Sequence, residues 1–335
     1  MNIFMIAEAA NHAEKLAAGL SDGWTVVPLP QEAASSDAFD DRIGPRDVVI
    51  SLRFGRSGKR APRFALLHVP GAGLDGIDFD CLSPQTTVCN VFEHEIPIAE
   101  FALGQMLEWE IGAAAMRRSF SPATWSQTYR RRVPHGELHG KTLGIVGFGR
   151  IGREIAIRAR AFGMRIVAVS AHPDPDGLAD HVVSPGALAP ILGEADYVVL
   201  ACPLNASTRG MIGAVELAAM KRTAVLINVS RAEIVDEAAL FEALSERTIG
   251  GAVLDVWYRY PTSPNEDVAP SNFPFHTLGN AVCTPHSSAW TTRLAHRRYA
   301  RIAENLERLK RGDALFNVVR GGVEMPEPSV KASHG

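Results

Sequence analysis

Cysteine is scarce and scattered in this chain. The four, Cys81, Cys89, Cys202 and Cys283, form no C-x-x-C pair and no His-spaced set. No metal centre is therefore expected, and reduced thiols are. No apolar run approaches the ~18 residues needed to cross a bilayer. The opening Met1-Asn2-Ile3-Phe4 lacks the basic stretch and apolar core of a secretory signal. An excess of one charge is missing too: 34 basic against 37 acidic residues leave a net charge of −3. That balance gives no electrostatic handle for nucleic acid or for an anionic membrane. Lysine is rare, so arginine supplies most of the positive charge. These absences point to a cytoplasmic globular protein that acts on a small molecule.

A chain of 335 residues suits two domains of roughly 150 residues each. Short β-rich apolar runs at 3–7, 24–28, 48–52, 66–69 and 87–91 alternate with helical spacing such as 12–20, the pattern of parallel strands with helical crossovers. A long apolar helix at 96–116 follows. A second series of runs at 142–146, 165–170, 197–201, 224–229, 252–256 and 281–284, with helices at 151–162 and 237–245, has the strand count of a doubly wound nucleotide-binding sheet. A last helix at 291–311 can return the chain to the first domain, where 317–319 adds a strand. The expected fold is α/β with two doubly wound domains, a Rossmann cofactor domain inserted in a flavodoxin-like substrate domain. Residues 1–112 form the first part of the substrate domain, 113–290 the dinucleotide-binding domain and 291–323 the return helix and the end of the substrate domain. The Pro- and Ser-containing tail 324–335 is expected to be disordered.

The glycine turn Gly147-Phe148-Gly149-Arg150-Ile151-Gly152 lies between a predicted strand and an amphipathic helix, the context that gives G-x-G-x-x-G its meaning. Gly147 allows the tight turn, Gly149 lets backbone approach a pyrophosphate, and Gly152 lets the helix pack on the strand. The helix start at Arg150 and Ile151 then offers unpaired N–H groups to phosphate. A nicotinamide dinucleotide is the expected cofactor. An NAD enzyme usually carries Asp or Glu at the end of the second strand, about 20 residues on. Here the strand runs into Ser170-Ala171-His172, with no carboxylate before Asp174. Ser170 can donate to a 2′-phosphate and His172 can approach it, although no Arg stands in that turn. NADP is preferred over NAD.

Further motifs follow in order: Pro70-Gly71-Ala72-Gly73-Leu74-Asp75, Ile98-Ala99-Glu100, the glycine fingerprint, Cys202-Pro203-Leu204 with Thr208-Arg209, Asn228-Val229-Ser230-Arg231 with Val235-Asp236-Glu237, Leu254-Asp255-Val256-Trp257, and Thr284-Pro285-His286. Together they resemble the D-isomer-specific 2-hydroxyacid dehydrogenases over nearly the whole chain. The resemblance implies hydride transfer between NAD(P)H and a small 2-oxo or 2-hydroxy acid such as glyoxylate or hydroxypyruvate. It also implies a homodimer formed through the cofactor domains.

The chemistry asks for a cation that grips a carboxylate and the adjacent ketone. Arg231, after a strand of the second series, offers a permanently charged guanidinium with forked donors. It asks also for a proton donor to the oxygen that gains charge as hydride arrives. His286 follows the last strand and, with an ordinary pKa of about 6.5, can give and take a proton near neutrality. The third element departs from the family: most members have a Glu five residues after the Asp of Leu-Asp-Val, and this chain has Tyr260. Tyr260 can hydrogen-bond the imidazole but brings no negative charge near pH 7, so the usual elevation of the His pKa is missing. Glu266 or Asp267 in the following loop are candidates to replace it. By motif the cofactor also meets Cys202, Pro203, Thr208, Val229, Ser230, Asp255, His286 and Ser288. Ala72 and Gly73 offer backbone N–H groups to the substrate carboxylate, and His94 and Arg53 face the substrate. A formate dehydrogenase of the same superfamily is the nearest alternative, because those enzymes also lack the Glu. A non-catalytic dinucleotide-sensing protein on the same scaffold is the alternative of another class.

Overall fold

The computed structural model describes residues 1–261 and 265–322. The chain divides into two compact units, Met1–Glu93 with Thr292–Gly335 and His94–Thr291. The division falls after Glu93, whereas the sequence pattern carried the first part to residue 112. The expectation for the tail concerns residues outside those described.

In the first unit, β1 (Asn2–Ile6), β2 (Thr25–Leu29), β3 (Val48–Ile50), β4 (Leu66–His68) and β5 (Thr87–Cys89) pair in parallel. In the second unit, β6 (Thr142–Val146), β7 (Arg165–Val169), β8 (His181–Val183), β9 (Tyr197–Leu200), β10 (Val225–Asn228), β11 (Gly251–Leu254) and β12 (Ala281–Cys283) are likewise all parallel. β13 (Val318–Arg320) then joins the first sheet antiparallel to β5. The first sheet runs β13-β5-β4-β3-β1-β2 and the second β12-β11-β10-β9-β6-β7-β8. The parallel part of the first has the flavodoxin-like order, and the second reverses direction between β6 and β9, as a dinucleotide fold does. Central strands such as β9 and β10 are buried at every position, which is why they read as unbroken apolar runs.

The principal helices are α1 (Glu95–Ile111), α2 (Arg150–Ala161) and α3 (Leu294–Arg311). α2 buries Gly152, Ile155, Ala156 and Ala159, one helical stripe at the expected spacing. The continuous helix expected over 96–116 is broken. Gly112 adopts φ +63° and ends α1, its N–H returning to the Glu108 carbonyl at 2.8 Å. A separate helix, Ala113–Ser119, starts beyond it. An apolar count does not register one left-handed glycine, although such a glycine is a common helix stop. β8 was missed because it is a three-residue edge strand with no fully buried position.

Candidate active site

Every strand of the second sheet points the same way, so the loops leaving β6, β7, β9, β10, β11 and β12 share the carboxyl edge of that sheet. Ligands of open α/β sheets bind at this edge.

The turn after β6 is built for close packing on one side and open space on the other. Gly147 has φ +99°, and a Cβ there would lie 2.4 Å from the Cys202 amide nitrogen. A Cβ on Gly152 would lie 2.3 Å from the Gly147 carbonyl oxygen. A Cβ on Gly149 would meet nothing within 4 Å. Gly149 therefore leaves room that the protein itself does not fill, and as the N-cap of α2 it has no side chain to cover the helix start. That geometry fits a pyrophosphate.

At the end of β7 the Ser170 N–H donates to Val183 at 2.9 Å, and the Ser170 Oγ accepts the His172 N–H at 3.0 Å. The first carboxylate of this loop, Asp174, accepts from Ala179 N–H at 2.8 Å and pairs with Arg153 at 2.9 Å. Arg153 comes from α2, lies against the Phe148 ring and also pairs with Asp176. It is a cation that a search of the β7 loop alone could not find. Its position directly after Gly152, about one turn into the helix that starts at Arg150, was the available signal.

Buried Asn228 organises the turn after β10. Its Nδ2 donates to the Arg231 carbonyl at 3.0 Å, and its Oδ1 accepts the Ser230 N–H at 3.1 Å. Ser230 Oγ donates to the Cys202 carbonyl, linking the loops after β9 and β10. Thr208 Oγ1 donates to the Pro203 carbonyl at 2.7 Å. Val229 is buried and Arg231 is exposed; the Arg231 Nη1 donates to the Ser230 carbonyl at 2.8 Å.

The loop that carries His286 is anchored by Asp255, which is 0% exposed. Its carboxylate accepts Thr284 Oγ1–H at 2.6 Å, Ser287 N–H at 2.8 Å and Ser288 N–H at 3.0 Å. Trp257 Nε1 adds a bond to the Thr284 carbonyl at 2.8 Å. Within this frame His286 holds φ +56°, a conformation non-glycine residues keep only when their surroundings impose it. The Tyr260 Oη lies 2.9 Å from His286 Nδ1, and the Trp257 N–H donates to the same Oη at 3.0 Å. Tyr260, not Glu266 or Asp267, therefore meets Nδ1. Partial burial lowers the His286 pKa below its ordinary value; Asp255 opposes that shift and Arg231 adds to it. The Tyr260 pKa is raised, chiefly by partial burial, against the Trp257 N–H and Arg231, which lower it.

In the first unit, Ala72 and Gly73 lie on the turn after β4, where the Ala72 carbonyl accepts Asn90 Nδ2–H at 2.9 Å. Arg53 is exposed after β3, its carbonyl accepting from Ser51 Oγ at 2.5 Å. His94 opens the second unit, with its Nδ1 3.8 Å from the Glu95 carboxylate. Among the described residues, no helix is long and apolar enough to cross a membrane, and no group of three His, Cys, Asp or Glu could hold a metal ion.

Residues 103–288 match the family described as D-isomer specific 2-hydroxyacid dehydrogenase, NAD binding domain. The chain belongs to that family. It is an NAD(P)-dependent oxidoreductase of 2-hydroxy and 2-oxo acids. Relatives include the glyoxylate reductase of Korarchaeum cryptofilum, 33% identical over 88% of this chain and 89% of that protein. The D-3-phosphoglycerate dehydrogenase of Methanocaldococcus jannaschii is 32% identical over 90% of this chain, which spans only 55% of that longer protein. Among solved structures, a D-lactate dehydrogenase with NAD+ from Lactobacillus jensenii is 26% identical with a TM-score of 0.73, over 95% of this chain and 99% of that one.

Proposed function

We propose that the protein reduces a small 2-oxo acid of the glyoxylate or hydroxypyruvate class, and runs the reverse oxidation of the D-2-hydroxy acid. The observation that carries this reading is that Arg231, His286 and the open Gly149 turn all leave the carboxyl edge of one parallel sheet. A bound nicotinamide dinucleotide supplies or accepts the hydride. Gly147, Gly149, Arg150, Ile151 and Gly152 hold its pyrophosphate, and Ser170 and His172 meet its adenosine ribose. Cys202, Pro203, Thr208, Val229, Ser230 and Ser288 line its path along the sheet edge. Arg231 grips the substrate carboxylate and carbonyl oxygen through its forked donors. His286 gives that oxygen its proton. Asp255 serves as the buried anchor of the His286 loop. His94, at the start of the same unit, is proposed to meet the substrate as well.

Arg231→Ala should raise the oxo-acid KM and cut kcat while leaving dinucleotide affinity nearly intact; equal loss of dinucleotide binding would make Arg231 structural.

NADP remains the preferred cofactor, since no carboxylate stands at the end of β7. Arg153 reaches the same loop, but Asp174 and Asp176 both pair with it, so it adds no net positive charge there. A kcat/KM favouring NADH over NADPH by about tenfold, or about 1.4 kcal/mol, would reverse the preference.

A homodimer is proposed through the segment 112–137, none of which is buried. Its Phe120 and Tyr129 each pack tilted against Trp125, and the three, Phe120, Trp125 and Tyr129, stay 61%, 51% and 51% exposed. Aromatic surface of this kind marks an interface, and sedimentation of wild type against Trp125→Glu tests it.

A further inference from the structure

We infer that His286 works as a two-ended proton relay, with Tyr260 as the group that replenishes it. This rests on the reading of His286 as the acid, and concerns where its proton comes from.

The Trp257 N–H occupies one lone pair of the Tyr260 Oη at 3.0 Å, and among the described residues the other short contact of that oxygen is His286 Nδ1 at 2.9 Å. The two rings are tilted by 52° with centroids 5.5 Å apart, so they meet through these heteroatoms and not face to face. Between a phenol and a neutral imidazole, the O–H is the donor and the bare ring nitrogen the acceptor. An N–H already bonded to the phenol oxygen polarises the O–H further toward donation. Nδ1 is therefore kept unprotonated, and the proton of the neutral ring sits on Nε2. Asp255 fixes the loop on both sides of His286, and the Tyr260 contact holds the ring at Nδ1.

A carboxylate at position 260 would do the opposite: it would hold a proton on Nδ1 and stabilise the imidazolium. Here the groups acting on His286 are Asp255 and Arg231, and those acting on Tyr260 are Arg231, Asp255 and Glu233. Partial burial and Arg231 together outweigh Asp255, so the surroundings favour the neutral ring, the form in which the Tyr260 O–H can donate to Nδ1. A neutral ring that lost its Nε2 proton alone would become an anion. The geometry supplies the alternative. As hydride from the reduced nicotinamide forms the new C–H bond, the carbonyl π pair moves to oxygen and takes the Nε2 proton. The Tyr260 O–H bond breaks, and its proton forms the Nδ1–H bond. The imidazole is neutral before and after, and the negative charge ends on the Tyr260 oxygen, near the Trp257 N–H and Arg231. Tyr260 is 45% exposed, so water returns its proton.

Tyr260 is thus a positioning and proton-feeding residue that acts through His286. The test begins with ¹⁵N NMR of the dinucleotide-free protein. Wild type should show His286 Nδ1 unprotonated and Nε2 protonated above the ring's pKa, and Tyr260→Phe should lose that bias. A protonated Nδ1 in the wild type overturns the proposal. In oxo-acid reduction, kcat/KM of Tyr260→Phe should fall about tenfold per pH unit above the His286 pKa, whereas the wild type should level off. Tyr260→Glu should keep full rate to a higher pH and then fall like Phe. If wild type and Tyr260→Phe share one descending limb while His286→Gln has lost turnover, the relay alone fails. If His286→Gln keeps wild-type turnover, the reading of His286 as the acid fails with it.

Discussion

Replacing Asp255 by Asn removes one charge from a position with no solvent exposure, and the structure sets the consequence. The retained amide oxygen can still accept from Thr284 and Ser287. The new NH2 then faces the Ser288 N–H, formerly bonded at 3.0 Å, so one charge-assisted bond is lost and two donors oppose each other. Such a loss is worth about 3 kcal/mol. The bond helps hold His286 at φ +56°, a backbone state that itself costs about 1–3 kcal/mol. The loop is expected to relax, and kcat to fall about 100-fold at 1.4 kcal/mol per decade. Because Asp255 raises the His286 pKa, the variant's pH–rate limb should also move down in pH. Steady-state kinetics across pH, paired with fluorescence titration of the dinucleotide, reads both effects. A variant with wild-type kcat that has lost dinucleotide affinity would refute the reasoning, and would make Asp255 a cofactor contact.

Gly149→Ala should fold with wild-type stability, within about 0.5 kcal/mol, because its Cβ meets no protein atom within 4 Å. Its dinucleotide affinity should fall at least about tenfold. Gly147→Ala, with its Cβ 2.4 Å from the Cys202 nitrogen, should lose stability first; urea melts and cofactor titrations of the pair check this contrast. His68 is 0% exposed, and burial pushes its pKa down to about 4, against about 6.5 in an unfolded chain. The fold favours the neutral ring, so this stabilisation is complete above about pH 6.5 and is lost as pH falls to about 4, a change of about 3 kcal/mol. His68→Gln should flatten that part of the stability–pH curve. Identical curves for the two proteins would mean that burial does not shift His68 away from its unfolded-chain pKa.

Much of the fold was legible because its strands are buried on both faces and its helices are amphipathic. β6 and the helix Glu237–Ser245 lie where periodicity puts them. The failures have local causes. Gly112 ends a helix that apolar content alone would continue, and β8 is too short and too exposed to stand out. In the site, residue type and strand-end position pointed to Arg231 and His286, and the family's motif spacing pointed to Tyr260. The Tyr260–Nδ1 contact depends on how the loop after β11 folds back, and the backbone bond from Trp257 that orients the phenol left no mark in the sequence. Arg153 was missed for a related reason: it reaches the β7 loop from a helix, so reading that loop by itself finds no cation.

The central claim is that this sheet edge, with Arg231 and His286, turns over small 2-oxo acids with a nicotinamide cofactor. The most direct measurement follows reduced-nicotinamide absorbance on glyoxylate and hydroxypyruvate, with NADH and with NADPH, for wild type, Arg231→Ala and His286→Gln. Turnover by the wild type that both variants lose, with dinucleotide still bound, is the predicted result. Tight dinucleotide binding with no turnover of either acid, or turnover that survives His286→Gln, would contradict it.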